Sequence, residues 1–433
     1  MASRGKTDFD YTLLLIVATL LALGLVMVFS ASYERAPDLE VSPIYFFRKQ
    51  LRWALLGLTG LIVMAYFDYR VWRRWAIPIM AVTLLGLVAV LFIGSRILGS
   101  RRWLLGGSAQ PSELAKIAVI IYIASWLSSR RSQLSDVTYS LVPFAVLLGL
   151  VSGLIVAQPD LSTAILVVLT VVSMFFIAGA DWRQLSILFL IGAVTFALLI
   201  TQSEHASTRF RIFLDSFWDP LHSENLHIRE LVRALASGGV FGNGLRGGEA
   251  TQPGHLPFPW SDSVFAILGE KLGLMGTLLV VGLFAALAYR GFRVGMEAPD
   301  TFGMFLAAGI TCWLVFQAII NIAVVTAIAP PTGLTLPFIS FGGSSLVVSL
   351  AGVGLLLSIS RGRAEGNRPI HASFDLWWRD RRPRLSGSRR RTSTTRKKAT
   401  KRAQPRSRTG TARRIRGKSN RSSRTTRSSK RQR

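Results

Sequence analysis

The sequence contains a single cysteine, Cys312, and it lies inside an apolar run. One thiol cannot form an intrachain disulfide, and it excludes zinc sites built from several cysteines. The five histidines show no spacing typical of zinc ligands. Acidic residues are also few, with 23 Asp and Glu against 51 Lys and Arg. We therefore expect neither cysteine redox chemistry nor zinc catalysis.

The excess of positive charge is concentrated at one end of the chain. Residues 361–433 contain 27 Lys and Arg but three Asp and Glu, whereas residues 1–360 contain 24 and 20. The sequence therefore predicts an apolar body over 1–360 and a basic cytoplasmic tail over 361–433. From about Gly387 the tail is mostly Arg, Lys, Ser and Thr, and this composition predicts disorder because it cannot bury a core.

The body consists of long apolar runs. A helix that crosses a membrane needs roughly 20 mainly apolar residues, and in lipid such segments must be helical. About ten runs are present, at 10–30, 52–67, 75–95, 113–128, 140–158, 161–180, 185–202, 263–289, 302–329 and 344–360. The predicted fold class is an all-α polytopic membrane protein with about ten transmembrane helices.

Lys and Arg in the short connections predict the orientation. Most of them fall on the same side as both termini: Arg70, Arg73, Arg74, Arg130, Arg131, Arg183, Arg290 and Arg293. A smaller set falls on the other side: Arg48, Lys49, Arg52, Arg101 and Arg102. We therefore predict cytoplasmic termini and, between the seventh and eighth runs, a long extracytoplasmic loop over 203–262.

The polar stretch 203–262 ends in Trp260-Ser261-Asp262, immediately before an apolar run. A carboxylate there lies at the edge of the bilayer, where the head group of a lipid-linked substrate could meet it, so Asp262 is the first candidate for chemistry. Glu270 lies within the following run, where a carboxylate is costly unless it faces a partner or water. Gly269 and Gly273 have the spacing that lets membrane helices pack closely.

Two further carboxylates lie near the starts of predicted helices. Glu113 and Lys116 are three residues apart and share a helix face, which indicates either a local ion pair or a polar pair that faces a cavity. Asp160 is placed to cap the helix that follows it, with a substrate role as the alternative. The uncharged segment 330–345 is rich in Pro and Gly, which indicates a re-entrant or cavity-lining loop or an ordinary turn.

Five strings, in chain order, resemble the SEDS family of bacterial cell-wall polymerases (FtsW/RodA/SpoVE). They are Arg102-Trp103 with Gln110 to Lys116, Gln158 to Ala164, Phe213-Leu214-Asp215 with Asp219-Pro220, Ser237 to Leu245, and Thr332 to Ser345. The end of the first run, Gly24 to Ser32, looks more like the division members than the elongation members. The chain departs from the family pattern at Ser162, Trp260, Lys271 and Asn225-Leu226-His227.

The resemblance implies a peptidoglycan glycosyltransferase in the bacterial inner membrane that polymerises lipid II, with Asp262 as general base. The implied substrate-binding residues are Arg102, Trp103, Glu113, Lys116, Asp160, Arg209, Arg211 and Glu270. Each arginine could instead be a solvated or lipid-bound charge, and Trp103 could mark the membrane interface. A divalent cation, Mg²⁺ or Mn²⁺, could bind at Asp262 or Glu270.

Two other functions fit the same strings. One is a lipid II flippase, although the sequence shows no internal repeat of the kind common in transporters. The other is a non-catalytic scaffold for a cell-wall transpeptidase. The expected partners are lipid II, a class B penicillin-binding protein and the membrane. The basic tail is expected to bind anionic lipid or divisome proteins rather than nucleic acid.

Overall fold

The computed structural model describes residues 9–34, 40–97, 100–103, 110–130, 141–202, 204–223, 225–246, 248–252 and 255–365. Residues 366–433 lie outside the described residues, and so does the disorder predicted for the tail from about Gly387. The last helix ends at Glu365, beyond the end of the predicted apolar run.

Most of the described chain is helical. The helices are α1 (Tyr11–Tyr33), α2 (Tyr45–Tyr66), α3 (Tyr69–Ile93), α4 (Pro111–Arg130), α5 (Val142–Val156), α6 (Leu161–Ile177), α7 (Trp182–Gln202), α8 (Glu204–Phe217), α9 (Leu226–Ser237), α10 (Val264–Met296), α11 (Thr301–Val325) and α12 (Gly343–Glu365). A short antiparallel hairpin, β1 (Ser95–Ile97) and β2 (Ser100–Trp103), lies between α3 and α4.

The prediction of a polytopic α-helical membrane protein is confirmed. In the described part of the chain, seven helices are long and apolar enough to cross a membrane, namely α1, α3, α4, α7, α10, α11 and the part of α12 over 343–362. α5 and α6 are apolar but shorter. α2 begins with charged residues that the sequence prediction left outside the run. These ten helices match the ten apolar runs, and a crossing by all ten stays a prediction.

Local signals explain where several helices begin. α1, α3, α6, α9 and α11 each follow an Asp or Asn whose side chain accepts a hydrogen bond from a backbone N–H in the first turn. Such caps satisfy amides that have no partner inside the helix. The cap of α6 is Asp160, which accepts from the Thr163 N–H at 3.3 Å. The capping role predicted for Asp160 is therefore confirmed.

α11 occupies the centre of the bundle. It packs against α4, α6 and α10, and α12 packs along α2 on a neighbouring side. The core face of α11 includes Phe305, Ile310 and Trp313, all almost fully buried. α7 is the opposite case, because few of its residues are buried. Polar side chains on α11 therefore face protein rather than lipid.

Hydrogen bonds made by Asp10 show which helix ends lie together. At one end the Asp10 carboxylate, before α1, accepts a 2.6 Å hydrogen bond from Arg290 near the end of α10. The backbone N–H of Asp10 also donates to Ser360 near the end of α12. The start of α1 and the end of α12 thus lie at the same end. Asp262 lies at the other end of α10.

The polar stretch 203–262 contains two helices rather than an extended loop. α8 follows α7 directly and exposes Leu214, Phe217 and the adjoining Trp218. α9 packs against α10, and its residues Ile228 and Leu231 are buried. The apolar residues spaced along α9 explain this packing, because they fall on one helix face.

Candidate functional site

Asp262 lies in the connection that leads into α10, and the backbone on both sides of it is held. Its carbonyl accepts a 2.8 Å hydrogen bond from the Asn321 side chain of α11. Two residues earlier, the Trp260 carbonyl accepts from the Phe341 N–H at 2.8 Å. The Ser261 N–H donates to the Phe258 carbonyl at 3.0 Å. The carboxylate is therefore attached to a backbone with little freedom to move.

An aromatic cluster supports this connection. Trp260 is 4% exposed and packs on Phe46 of α2, with ring centroids 4.2 Å apart. Phe46 also contacts the Phe341 ring, with centroids 5.6 Å apart. Trp260, where the sequence departs from the family pattern, fills a packed apolar position here.

Two side chains that can carry positive charge act on the Asp262 carboxylate. Burial raises the pKa of Asp262, while His227 on α9 and Arg209 on α8 lower it in part. Burial lowers the pKa of His227, and Asp262 opposes that change. Arg209 is exposed. One residue from each helix of the outer stretch therefore acts electrostatically on the carboxylate, and sequence reasoning did not select His227.

Glu113 and Lys116 form an ion pair of 2.7 Å whose side chains are 8% and 1% exposed. The Lys116 ammonium also donates to the Gln317 side-chain carbonyl at 3.1 Å and lies 5.3 Å from the Trp313 ring centre. The Trp313 N–H donates to the same Gln317 oxygen at 2.9 Å. The pair is an ion pair as expected, and it is buried in the bundle rather than exposed at a helix start.

Gln317 and Asn321 lie one turn apart on α11 and connect the two clusters. Gln317 donates to the Thr335 carbonyl at 2.9 Å, and Asn321 donates to the Leu334 carbonyl at 2.8 Å. Residues four apart share a helix face. The Asp262 connection and the Lys116 pair therefore lie along one face of α11. In the sequence, this polar face is visible as two side-chain amides, four residues apart, inside an apolar run. Sequence reasoning did not select them as candidate site residues.

The segment 330–342 is packed inside the protein. Leu336, Phe338 and Ile339 are almost fully buried. The Gln50 side chain of α2 donates to the Ser340 carbonyl at 3.1 Å. α1 approaches so closely at Gly24 that a Cβ there would overlap the Phe338 carbonyl. Irregular backbone of this kind is tolerated at membrane depth because protein satisfies it.

Asp160 joins the starts of two helices. Besides capping α6, its carboxylate accepts hydrogen bonds from the Ser112 hydroxyl at 3.2 Å and the Gln110 amide at 3.1 Å. Ser112 is in the same first turn as Glu113. Asp160 therefore fixes the start of α4, which carries the buried ion pair.

Glu270 and Lys271 hold the loop over 242–252. The Glu270 carboxylate accepts backbone N–H bonds from Glu249 at 2.7 Å and Ala250 at 3.1 Å. The Lys271 ammonium donates to the Leu245 carbonyl at 2.9 Å. Glu270 thus faces loop backbone, which compensates its burial in an apolar run. Among the residues that the structure describes, no three His, Cys, Asp or Glu side chains are grouped to hold a metal ion.

Gly269 and Gly273 were predicted to let membrane helices pack closely, and the structure gives them other roles. Gly273 has φ 65° and ψ −165°, so α10 is broken there. The Leu274 N–H donates to the Gly239 carbonyl at 2.9 Å, and the Gly244 N–H donates to the Lys271 carbonyl at 3.0 Å. A Cβ on Gly269 would lie 2.5 Å from Leu235 of α9. The close approach therefore involves the outer stretch.

Three further candidates lie on β2 and α8. Arg102 and Trp103 lie on β2, opposite β1, and their side chains lie outside what the structure describes. Arg211 is exposed on α8, two residues from Arg209. Arg209 and His227 act electrostatically on Asp262, and hydrogen bonds from α11 connect the Asp262 backbone with the Glu113–Lys116 pair.

A family model described as a cell cycle protein, FtsW/RodA/SpoVE, matches residues 11–365. The chain belongs to this family. The match covers α1 through α12, including the held Asp262 connection and the buried ion pair. The resemblance drawn from the five sequence strings is confirmed.

Members of the FtsW/RodA/SpoVE family match along most of their length. A probable peptidoglycan glycosyltransferase FtsW from Trichlorobacter lovleyi is 38% identical, over 82% of this chain and 94% of the relative. The stage V sporulation protein E of Bacillus subtilis is also 38% identical, over 82% of this chain and 98% of the relative.

Solved structures share the fold. A chain from a peptidoglycan synthase complex, studied for the coordination of polymerisation and crosslinking, is 30% identical with a TM-score of 0.66, over 82% of this chain and 98% of that one. The rod shape determining protein RodA of Thermus thermophilus is 29% identical with a TM-score of 0.61 and the same coverage.

Proposed function

We propose that this protein is a peptidoglycan glycosyltransferase that polymerises lipid II, with Asp262 as the general base. The observation that carries the proposal is the position of Asp262, a partly buried carboxylate on a held backbone at the start of a membrane helix. Family membership and the relatives named as peptidoglycan glycosyltransferases support the reaction class.

The proposed reaction needs a base at the acceptor sugar. The 4-hydroxyl oxygen of one lipid II molecule forms a bond to the anomeric carbon of a glycan chain, and the bond from that carbon to undecaprenyl pyrophosphate breaks. The hydroxyl proton passes to Asp262. A positioned base contributes typically about 10²–10⁴ in rate, and a pKa raised by burial brings the carboxyl nearer to the working pH.

The departing pyrophosphate needs positive charge around it. Arg209 is the described cation that acts on Asp262 and is exposed, so it can turn toward a substrate. Lys116 is already neutralised by Glu113 and buried. We therefore assign Arg209 to the pyrophosphate, with Arg211 and Arg102 as further candidates, and Lys116 to the support of the site.

Two carboxylates are candidates to hold a divalent cation. One oxygen of Glu270 accepts two loop N–H groups and its other oxygen is buried without a partner within the described structure, whereas backbone N–H groups of Asp262 and Ser263 act on the Asp262 carboxylate. Mg²⁺ usually binds through one or two carboxylates together with substrate phosphates. Asp262 is the better candidate because it is half-buried, whereas Glu270 is almost fully buried, and an ion held there would supply further charge stabilisation to the pyrophosphate.

The proposed partner is a class B penicillin-binding protein in the bacterial inner membrane. The support is the fold shared with a chain of a peptidoglycan synthase complex that coordinates polymerisation and crosslinking. The proposed orientation places the start of α1 and the end of α12 in the cytoplasm and Asp262 at the outer surface. Arginines at the Asp10 end, such as Arg70 and Arg290, support this orientation.

The test is polymerisation of purified lipid II by the protein together with its partner. Asp262→Asn keeps the size of the side chain but removes the base, so the glycan product should fall by about 10²-fold or more. Glycan strands are measured by gel electrophoresis after labelling of the lipid II.

Asp219→Asn is the matched control. Asp219 lies in the same outer stretch and is exposed, with His222 as its partner, so this variant should polymerise like wild type. A lipid II flippase or a scaffold would yield no glycan from the wild-type complex. Equal product from Asp262→Asn and wild type would remove Asp262 from the role of base.

A further inference from the structure

α8 carries a row of aromatic side chains that begins on α7. The ring centroid of Phe196 on α7 lies 6.4 Å from that of Phe210 on α8, and Phe210 lies 6.3 Å from Phe213. Phe217 follows at 5.4 Å from Phe213, and Trp218 at 5.3 Å from Phe217. These rings, which we call the aromatic row, run from a candidate membrane span into the outer stretch.

The start of the aromatic row shows that the chain bends sharply between α7 and α8. Phe196 lies six residues before the end of α7, and Phe210 lies six residues after the start of α8. In one straight helix, residues this far apart in sequence would be about 21 Å apart. The two ring centroids are 6.4 Å apart, so α8 turns back along the outer half of α7. α8 therefore lies beside the outer end of an apolar span.

The apolar side chains of α8 share one helix face. Phe210, Phe213, Leu214 and Phe217 recur at the three- and four-residue spacing of a single stripe. Leu214 and Phe217 are exposed, and Phe210 and Phe213 are partly exposed. Trp218, just past the end of the helix, is 89% exposed. The described protein thus leaves much of this stripe open to its surroundings.

α8 is attached to the rest of the outer stretch through a different face. The buried Ser216 hydroxyl forms a 2.6 Å hydrogen bond with the Ser223 hydroxyl. Ser223 also accepts a 3.1 Å hydrogen bond from the backbone N–H of Asn225, the residue before α9. Ser216 lies roughly 100° around the helix from the centre of the apolar stripe. The stripe is therefore turned away from this attachment.

Two arginines flank the apolar stripe. Because successive residues are about 100° apart around a helix, Arg209 and Arg211 fall on opposite sides of Phe210. Both arginines are exposed, and so are Thr208 and Asp215 on the face opposite the stripe. An apolar face with aromatic residues, arginines at its edges and a polar face behind it is typical of a helix that lies in a membrane interface.

We propose that α8 is an interfacial helix. Its aromatic row lies in the outer leaflet at the boundary between head groups and acyl chains, with Arg209 and Arg211 at the level of the phospholipid phosphates. The occupant of the face is lipid because the row continues from α7, an apolar span with few buried residues. The planar fork of arginine suits phosphate oxygens, and exposed tryptophan is common at the membrane interface.

The consequence for catalysis rests on the proposed function. A lipid-linked donor has its polyprenyl chain in the hydrocarbon, so its pyrophosphate lies at the level of the phospholipid phosphates. Arg209, which we assign to that pyrophosphate, is held at the same level by the insertion of α8. The interfacial helix therefore places a cation at the depth where the leaving group of the donor arrives.

The test is the depth of spin labels on α8 in vesicles of phosphatidylcholine and phosphatidylglycerol. The full chain carries Cys312→Ala, so that one added cysteine takes the label. A nitroxide at Leu214→Cys should lie roughly 5–10 Å below the phosphates. Depth is measured from the relative accessibility of the nitroxide to oxygen and to a water-soluble nickel chelate. Thr208→Cys, on the opposite face, is the matched control and should place its label in water.

Three results would overturn the proposal. One is a Leu214 label as accessible to the nickel chelate as the Thr208 label. Another is a Leu214 label in water that becomes protected when the purified penicillin-binding protein is added, which would assign the face to a protein partner. The third is protection that rises with the ratio of protein to lipid, which would assign the face to a second copy of this chain.

Phe217→Ser/Trp218→Ser tests the aromatic row itself. Both side chains are exposed, and their loss removes two apolar anchors, so the Leu214 label should move from the acyl chains toward water. Phe241→Ser is the control, because it removes an exposed phenylalanine of the outer stretch outside α8 and should leave the label depth unchanged. Equal label depth in the double variant and wild type would contradict insertion of the row.

Label depth is independent of catalytic turnover. Wild-type complex that makes no glycan would overturn the proposed function and leave the interfacial helix in place. A Leu214 label in water in a complex that makes glycan would overturn the interfacial helix alone.

Discussion

The side-chain amide of Asn321 donates one hydrogen bond of 2.8 Å to the Asp262 carbonyl and another of 2.8 Å to the Leu334 carbonyl. One nitrogen thus joins three parts of the chain: α11, the connection into α10 and the buried segment 330–342. Asn321 is itself 1% exposed. The position of the proposed base therefore depends on a buried residue that sequence reasoning did not select.

Asn321→Asp tests this dependence. The substituted carboxylate has nearly the same shape but cannot donate, and it faces two carbonyl oxygens. Each lost bond costs about 0.5–1.5 kcal/mol, and a shift of about 1 Å at a reacting group can cost about 10²-fold in rate. We expect polymerisation to fall at least tenfold on this basis. Asn243→Asp, in an exposed loop, is the control, and equal losses in both variants would contradict the role of Asn321.

Lys116→Met tests the buried ion pair. The substitution leaves Glu113 buried without its cation, and a broken buried pair costs about 3–5 kcal/mol. The double variant Lys116→Met/Glu113→Gln should recover much of this loss, because it buries no unpaired charge. Thermal unfolding in detergent measures both. Arg293→Met breaks an exposed pair with Glu297 and should leave the unfolding temperature nearly unchanged, because solvent screens exposed ion pairs. Similar unfolding temperatures for Lys116→Met and Arg293→Met would refute the prediction.

Gly248→Ala tests the loop that Glu270 holds. Gly248 has φ 114°, and a Cβ there would overlap the Glu270 carboxyl group. We expect the loop to detach from Glu270 and the unfolding temperature to fall. Gly244→Ala is the matched control, because Gly244 has φ 84° but open space around it. Gly244→Ala carries the backbone strain alone, about 1–2 kcal/mol. A loss in Gly248→Ala no larger than in this control would mean that Glu270 does not hold the loop.

The raised pKa of Asp262 predicts how stability changes with pH. The folded protein holds a proton on this carboxyl at a pH where the unfolded chain has released it. The group therefore favours the folded state below its unfolded pKa, and this contribution is lost as pH rises through the folded pKa. Asp262→Asn should accordingly raise the unfolding temperature at neutral pH, with a smaller gain at acidic pH.

Asp219→Asn should not raise the unfolding temperature at neutral pH, in contrast to Asp262→Asn. His222 lowers the pKa of Asp219, so its ionised form is favoured in the folded protein, and the substitution should give no gain at neutral pH. Unfolding temperatures of the two variants and wild type across a pH series test both signs. A gain for Asp262→Asn that is constant with pH would contradict the prediction.

Features encoded by nearby residues could be predicted from the sequence. The ten apolar runs predicted the ten bundle helices, because hydrophobic length is a local property. Asp160 as a cap and Glu113 with Lys116 as an ion pair followed from spacings of three residues. The placement of Asp262 before α10 followed from the change from polar to apolar sequence.

Features that depend on tertiary contacts could not be predicted in this way. His227 acts on the charge of Asp262 because α9 packs on α10. Gln317 and Asn321 donate hydrogen bonds to backbone carbonyls of the 330–342 segment. The position of that segment next to α11 could not be predicted from the sequence. Gly273 had the spacing of a helix-packing glycine, yet loop backbone bonds made it the site of a helix break.

The break at Gly273 has a mechanical result. The first part of α10, from Val264 to Leu272, carries Asp262 at its start and is hydrogen-bonded at its far end to residues 239–244 of the outer stretch. Hydrogen bonds from Asn321 and Phe341 fix the connection before this part of the helix, and residues 264–271 are buried in the bundle. The first part of α10 therefore anchors residues 239–244 of the outer stretch to the core, at a fixed distance along the helix from the proposed base.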